Sequence, residues 1–460
     1  MIRWVDWETD AFARAARERK PVLLSITAAW CGACHEMDRT TYADPRVDAI
    51  VSTRFIPVRV DADRRPDINE RYNLGGWPTT AFLTPDGELM TGGTFVSAER
   101  MPEVLERVAA AFEDGPIGGA SPVVESGAGP QAPAPDLIEV TFASFDEVYG
   151  GFGVEPKFPL TAPLHLALAL FEDTRDDRWR LIVERTLDAM ADGALWDRDR
   201  GGFHRYATQR DWQLPHREKL LDTNAALLRA YAAAAHVLGR AVDADRADRT
   251  AQFITKALRA ENGGYCASDA DTLLLADANA AAARALFATA ALLQDTRLLQ
   301  EALDSFERAV LVCYKPGAGM AHYFDGAARV RGLLADQIEM TAALLDAHEA
   351  TGAEPYKMMA EELGHFVAQE MWDGTDGGCF DRKAGDADIG LLRRARKPFV
   401  GNADAAAVFS RLDAVTHEFD FASHATGALD AAARGLAAQG PLTAHYLLAA
   451  RQVRPNERTK

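Results

Sequence analysis

Apolar and polar positions follow two rhythms between residue 1 and about residue 112. ETDAFARAARERK (8–20) repeats its apolar positions at helical spacing and predicts an amphipathic helix. PVLLSIT (21–27) is a short apolar run of the kind that suits a strand buried on both faces. A helix is expected from Cys34 to Thr40, a second strand over FIPVRVDA (55–62), and a hairpin over TTAFLTPDGELM (79–90) turning at Asp86-Gly87. A last helix is expected from Ala98 to Ala111. Then the rhythm stops. Residues 114–136, DGPIGGASPVVESGAGPQAPAPD, are rich in Gly, Pro, Ala and Ser and cannot bury a core, which predicts a semi-extended linker. Beyond it the strand signals nearly vanish and long Ala- and Leu-rich helical segments take over. The expected division is an α/β domain over 1–113, the linker over 114–136 and an all-α domain over 137–460.

A loose repeat runs through the helical part. Paired-glycine turns followed by an aromatic or apolar residue recur as YGGFG (149–153), DRGGFHRY (199–206), NGGYCASDAD (262–271), GAGMAHYFDG (317–326) and DGGCFDRKAG (376–385). The second glycines stand at 151, 202, 264, 319 and 378, steps of 51, 62, 55 and 59 residues. Such a step holds two helices and their connections, and stacked hairpins each bury an apolar face on a neighbour. With one more hairpin after about residue 400, the closed form is an (α/α)6 toroid. Each hairpin returns the chain to its starting face, so the glycine turns are expected at one end.

Composition narrows the function classes. The 460 residues carry a formal charge of −18, which disfavours a nucleic-acid partner, and no apolar run is long enough to span a membrane. The first residues read as part of the fold and not as a leader, so a cytoplasmic location is expected. Five cysteines cannot form a disulfide framework in a chain this long.

Two of them stand together. TAAWCGACHEM (27–37) places Cys31 and Cys34 after an apolar strand and at the start of a helix. Unpaired N–H groups and the dipole there lower a thiol pKa, and the two-residue spacing lets the second thiol resolve a mixed disulfide formed by the first. Cys31 is expected to be the exposed nucleophile and Cys34 the resolving thiol. Half a zinc site is the competing reading, but no second CxxC or HxxxH follows at zinc spacing, so no metal or cofactor is expected. Cys266, Cys313 and Cys379 are isolated and read as small buried hydrophobes.

These stretches, with VDADRRPDINERY (60–72), GGWPTTAFLTPDG (75–87), GGFGVEPKFP (150–159) and PHREKLLDTNAAL (215–227), resemble the spermatogenesis-associated thioredoxin-like family over most of the chain. The resemblance implies a multidomain protein, an α/β thioredoxin-like domain followed by an all-α six-hairpin toroid. It implies a redox assignment for Cys31 and Cys34, and a cis bond before Pro78 beside them. The implied partners are a protein disulfide client or a thiol reductant. The first domain alone also resembles the thioredoxin-like domains of membrane-linked disulfide reductases. Six residues before Cys31, where thioredoxin has a buried aspartate, stands Ser25; His35 is the available substitute proton acceptor, or simply a solvent-facing helix residue.

A second site is expected in the toroid. If a helix starts at Pro215, Glu218 and Asp222 share a face at i,i+4 with His216 nearby. Asp269, Asp271, His204, Arg205 and His322 lie in glycine turns at the same expected end. Clustered carboxylates and imidazoles suit acid–base work on a sugar, so a carbohydrate ligand is the alternative partner, against capped loops and solvated faces. The competing functions are a thiol–disulfide oxidoreductase, a sugar epimerase or hydrolase, and a non-catalytic binding module.

Overall fold

The structure is a computed structural model that describes residues 1–115, 136–261, 263–416 and 420–454. The expected linker falls mostly outside the described residues. The chain forms two compact units: Met1–Gly127 with Ala384–Ala395, and Ala128–Lys383 with Arg396–Lys460.

The first unit runs α1 (Thr9–Glu18), β1 (Val22–Thr27), α2 (Gly32–Thr40), α3 (Pro45–Arg54), β2 (Ile56–Asp61), α4 (Pro66–Tyr72), β3 (Thr79–Leu83), β4 (Leu89–Gly93) and α5 (Met101–Glu113). Its sheet has the order β2-β1-β3-β4. β1 is parallel to β2, with Leu24 opposite Val58, and antiparallel to β3, with Leu24 opposite Ala81. Being central and covered on both faces, β1 is apolar nearly throughout. Leu23, Met37, Val51, Phe55, Phe82 and Leu105 close the core, each buried large side chain contributing about 1.5–3 kcal/mol. A stretch from much later in the chain completes this unit. It carries a 3-10 turn, Gly390–Arg393. The Tyr72 hydroxyl donates to Gly87 O at 2.6 Å and accepts from Leu391 N at 2.8 Å, while Arg71 Nε donates to Leu391 O at 2.9 Å. Nothing in its local sequence marks this segment as part of the first unit.

The second unit opens with the short α6 (Leu137–Phe142) and continues with α7 (Ala162–Thr174), α8 (Asp177–Asp192), β5 (Tyr206–Ala207), β6 (Pro215–His216), α9 (Leu221–Leu238), α10 (Ala241–Ala257), β7 (Leu274–Leu275), α11 (Ala276–Leu293) and α12 (Thr296–Cys313). Then come β8 (Tyr314–Lys315), β9 (Gly319–Phe324), β10 (Ala328–Arg331), α13 (Leu334–Thr351), α14 (Glu354–Glu370), α15 (Phe399–Val415), α16 (Phe421–Ala433) and α17 (Thr443–Val453). Helices α7, α9, α11, α13, α15 and α17 pack side by side, and α17 returns onto α7, so they form a closed inner ring. Outer helices α8, α10, α12, α14 and α16 back them. This is the (α/α)6 toroid. Every glycine pair follows an outer helix or α6 and precedes an inner one, with positive φ throughout: 64° and 74° at Gly150-Gly151, 69° and 83° at Gly377-Gly378. At Gly202 a Cβ would stand 2.5 Å from the Phe253 ring.

Two devices hold these turns. An amide in the first turn of four inner helices grips the residue after the glycine pair. Asn224 Oδ1 accepts from Phe203 N at 2.7 Å and its Nδ2 donates to Phe203 O at 3.0 Å; Asn279 does the same with Tyr265, Gln337 with Met320 and Asn402 with Cys379. A lysine supplies the second device. Lys219 Nζ donates to Asp197 Oδ2 at 2.6 Å and Gly201 O at 2.7 Å, and Lys397 repeats this with Asp373 and Gly377 O.

Several expected boundaries shift. The helix expected from Pro215 begins at Leu221. Residues 215–220 pair instead: Tyr206 opposite His216, and Leu220 bridged to Ser268. GAGMAHYFDG does not end in a bare turn but runs into β9, which pairs with β7, β8 and β10.

Candidate functional site

β1 ends just before Trp30, and Cys31 is the N-cap of α2. Its Sγ accepts from Cys34 N at 3.1 Å, a first-turn donor shared between this sulfur and Cys31 O. Cys31 and Cys34 are joined as a disulfide with their Cα atoms 5.2 Å apart. Cys31 is 4% exposed and Cys34 2%. The expectation of an exposed Cys31 is therefore corrected for the oxidised pair: its sulfur turns inward to the α2 amide and to Cys34. Trp30 Nε1 donates to Asp63 Oδ2 at 2.7 Å, and its ring meets Trp77 edge-on at 5.5 Å. The Trp77–Pro78 bond is cis and Pro78 is buried. Ser25 is buried on β1, and near it the Tyr42 hydroxyl lies 3.5 Å from Thr80 Oγ1. Burial pushes the Tyr42 phenol above its ordinary pKa. His35 is exposed on α2, away from the role of buried proton acceptor. Cys266, Cys313 and Cys379 are free and buried, and burial pushes Cys313 and Cys379 up to about 12.

The toroid residues divide into two groups. His204 Nδ1 lies 3.0 Å from Arg217 O, Arg205 N donates to Glu218 O at 2.9 Å, and His216 Nδ1 lies 3.5 Å from Glu218 Oε1. Burial lowers the His204 pKa. Asp269 Oδ1 accepts from Lys219 N at 3.3 Å and Asp271 Oδ1 from Leu273 N at 3.0 Å, which makes both of them loop caps. Glu218 and Asp222 do not share a helix face, because Glu218 precedes α9 in a paired segment and only Asp222 is helical. Lys219, the cation next to Glu218 in sequence, is committed to Asp197. The second group is Asp277, His322 and Asp336. His322 Nδ1 is 2.9 Å from Asp336 Oδ1, and burial pushes the Asp277 carboxyl up to about 6.

The inner ring encloses a cavity of about 620 Å³, within the ~300–1,000 Å³ of small-molecule sites. Alanines 225, 233, 281, 403 and 407 leave the space, and none of the second-site residues expected from sequence lines it. Its polar groups are others. Arg284 bridges Glu339 at 2.8 Å and Asp346 at 3.0 Å, and His445 Nδ1 is 3.1 Å from Asp404 Oδ1. Burial opposes protonation of His445, but the Asp404 bond outweighs it and raises the pKa. Burial, with repulsion from Arg229, pushes the His165 imidazole down to about 3. Arg229, repelled by Arg284, makes no hydrogen bond or ion pair among the described residues. These groups are spread over the six inner helices, with two, Glu339 and Asp346, on α13, so no local motif signals them; only the 3.6-residue spacing of alanines and charges along an inner helix does.

Known proteins resemble each part. Residues 1–116 match the family model Thioredox_DsbH, described as a protein of unknown function, DUF255. Human spermatogenesis-associated protein 20 is 30% identical over 307 residues, 59% of this chain and 39% of the human one. The thiol:disulfide interchange protein DsbD of Escherichia coli is 33% identical over 90 residues, 19% of this chain and 16% of that one. The cellobiose 2-epimerase of Spirochaeta thermophila is 16% identical and superposes with a TM-score of 0.57 over 69% of this chain and 94% of its own; that likeness establishes the toroid fold. The chain spans about two fifths of the length of the spermatogenesis-associated relatives it matches. It is a relative of the spermatogenesis-associated thioredoxin-like proteins, as its motifs imply.

Proposed function

We propose that the chain is a thiol–disulfide oxidoreductase that reduces a protein disulfide through Cys31 and Cys34. The carrying observation is the Cys31 sulfur at the α2 N-cap, already accepting the Cys34 N–H and bonded to Cys34. In the dithiol form the same N–H and the helix dipole would stabilise a Cys31 thiolate. That thiolate attacks one sulfur of the client disulfide, forming a mixed disulfide and expelling the first client thiolate. Cys34 then attacks Cys31 Sγ, closing the protein disulfide and releasing the second client thiol. The pair is oxidised by two electrons and the client reduced by two; a dithiol reductant restores the pair. The likeness to a thiol:disulfide interchange protein supports this reading. Ser25 supplies no carboxylate to take the Cys34 proton, so resolution relies on solvent or on the departing client thiolate.

The same reading places the chain in a reducing compartment such as the cytoplasm, where Cys266, Cys313 and Cys379 stay thiols. No helix among the described residues is long and apolar enough to cross a membrane. Trapping tests the reading: Cys34→Ser in cells should accumulate disulfide-linked clients through Cys31, and Cys31→Ser should accumulate none. Equal capture by both variants would defeat it.

The cavity favours a second reading, in which the toroid binds a polyhydroxylated ligand such as a carbohydrate. Its support is the set of polar groups, His165, Arg229, Asp404 and His445 with the Arg284–Glu339–Asp346 ion pairs, around a space kept open by alanines. Arg229→Ala should weaken a sugar detected by calorimetry and leave client trapping unchanged; sugar binding that is indifferent to Arg229 would remove the cavity from consideration.

A further inference from the structure

Asp277, His322 and Asp336 come from three elements, the first turn of α11, strand β9 and the first turn of α13. One ligand atom from each lies within 4.8 Å of the others. Asp336 is fully buried and His322 is 3% exposed. Asp336 Oδ1 bonds His322 Nδ1, but Asp336 Oδ2 is buried with no hydrogen-bond partner. A buried carboxylate oxygen left bare costs several kcal/mol, and two carboxylates facing one another cost more. Among the described residues no lysine or arginine pairs with Asp277 or Asp336. Asp222, in the first turn of the neighbouring α9, adds a further negative charge that Asp277 feels. Arg331, the nearby cation on β10, is occupied by Cys313 O at 2.9 Å and Gly319 O at 2.7 Å.

We propose that Asp277, His322 and Asp336 form a binding site for one first-row divalent cation. Two carboxylates and an imidazole make an oxygen-rich set with one borderline nitrogen, which suits Mn²⁺ and tolerates Zn²⁺, whereas Mg²⁺ and Ca²⁺ prefer oxygen alone. The ion answers both anomalies at once, supplying charge to the facing carboxylates and a partner to the orphaned oxygen. Asp277 stands one helical turn before Ala281, which lines the central cavity, so the site lies about one turn of α11 from that lining. Tying β9, α11 and α13 together, the ion stabilises this side of the ring. Zinc spacing in the sequence misses the set because its members are 45 and 14 residues apart, on separate elements.

The test uses the full chain, stripped with chelator and titrated with Mn²⁺, following the fall of the free-ion electron paramagnetic resonance signal. About one Mn²⁺ per chain is expected, with affinity falling at least ~10-fold in Asp336→Asn and in His322→Gln, and retained in Asp269→Asn, whose exposed carboxylate lies outside the site. Mn²⁺ should raise the melting temperature of the wild type by several degrees. Asp277→Asn, at a less deeply buried position than the other two, serves if the buried variants fail to fold. No uptake by the wild type, or uptake undiminished in a folded Asp277→Asn, Asp336→Asn or His322→Gln variant, overturns the proposal. The trapping experiment with Cys34→Ser is read separately, and its failure leaves this result standing.

Discussion

Cys31 and Cys34 differ from the other three thiols in where their sulfurs can go. In the oxidised chain both are closed off, and burial raises the pKa of Cys266 as well as of Cys313 and Cys379. Iodoacetamide at neutral pH should therefore leave the oxidised chain unlabelled. After mild reduction it should modify Cys31 ahead of Cys34 and spare the other three; peptide mass spectrometry gives the order, and earlier modification of Cys34 would reverse the roles. This pair was legible in the sequence because everything that defines it is local: a strand, two thiols and a helix start within a dozen residues. Glu218 and Asp222 were misread for the opposite reason. Helical spacing continues back to Pro215, but the segment pairs with Tyr206 and Ser268, partners 10 and 48 residues from the positions they meet, and that pairing decides where α9 begins. His35 shows the same limit in one residue, since nothing in CxxCH tells which side of α2 it leaves from.

At the scale of elements, the glycine turns were visible as spaced pairs, but the amides and lysines that lock them were not. Asn224, Asn279, Gln337 and Asn402 each follow their glycine pair by about 15 to 25 residues, a distance with no motif to mark it. Asn279→Ala removes bonds to Tyr265 N and O and to Leu275 O, all buried or partly so. The cost should be about 2–4 kcal/mol, read as a lower melting temperature of the toroid transition. Lys219→Met should cost about 2 kcal/mol near pH 7 by stranding Asp197, whose carboxyl Lys219 and the turn amides hold down to about 2 against an ordinary 3.8 despite burial. A depressed carboxyl contributes stability above its unfolded pKa and loses it as pH falls through the folded one. The gap between variant and wild type should thus be full above pH 4 and close toward pH 2, measured by chemical denaturation across that range. A constant gap would mean the lysine acts through packing alone.

For the whole molecule, the sequence indicated two domains and a ring, since hairpins of near-constant length leave few other ways to bury their faces. It could not indicate that Ala384–Ala395 belongs with the first unit, because a short apolar-polar stretch looks like any other connection inside the repeat. The seat is narrow: a Cβ on Gly390 would lie 2.3 Å from Gly87 O and 2.4 Å from the Tyr72 hydroxyl, at a φ of 56°. Gly390→Ala should unseat the segment, speed hydrogen exchange at Leu391 N and lower the melting temperature of the first unit; unchanged exchange would show the turn shifting without loss. The late arrival of this segment also has a consequence during synthesis. Helix α5 ends at Glu113, but the residues that cap Arg71 and Tyr72 leave the ribosome roughly 280 residues later, tens of seconds at ~5–20 residues per second. Until then the nascent first unit must wait with that face uncovered, open to aggregation for the whole of the interval in which the ring is being made.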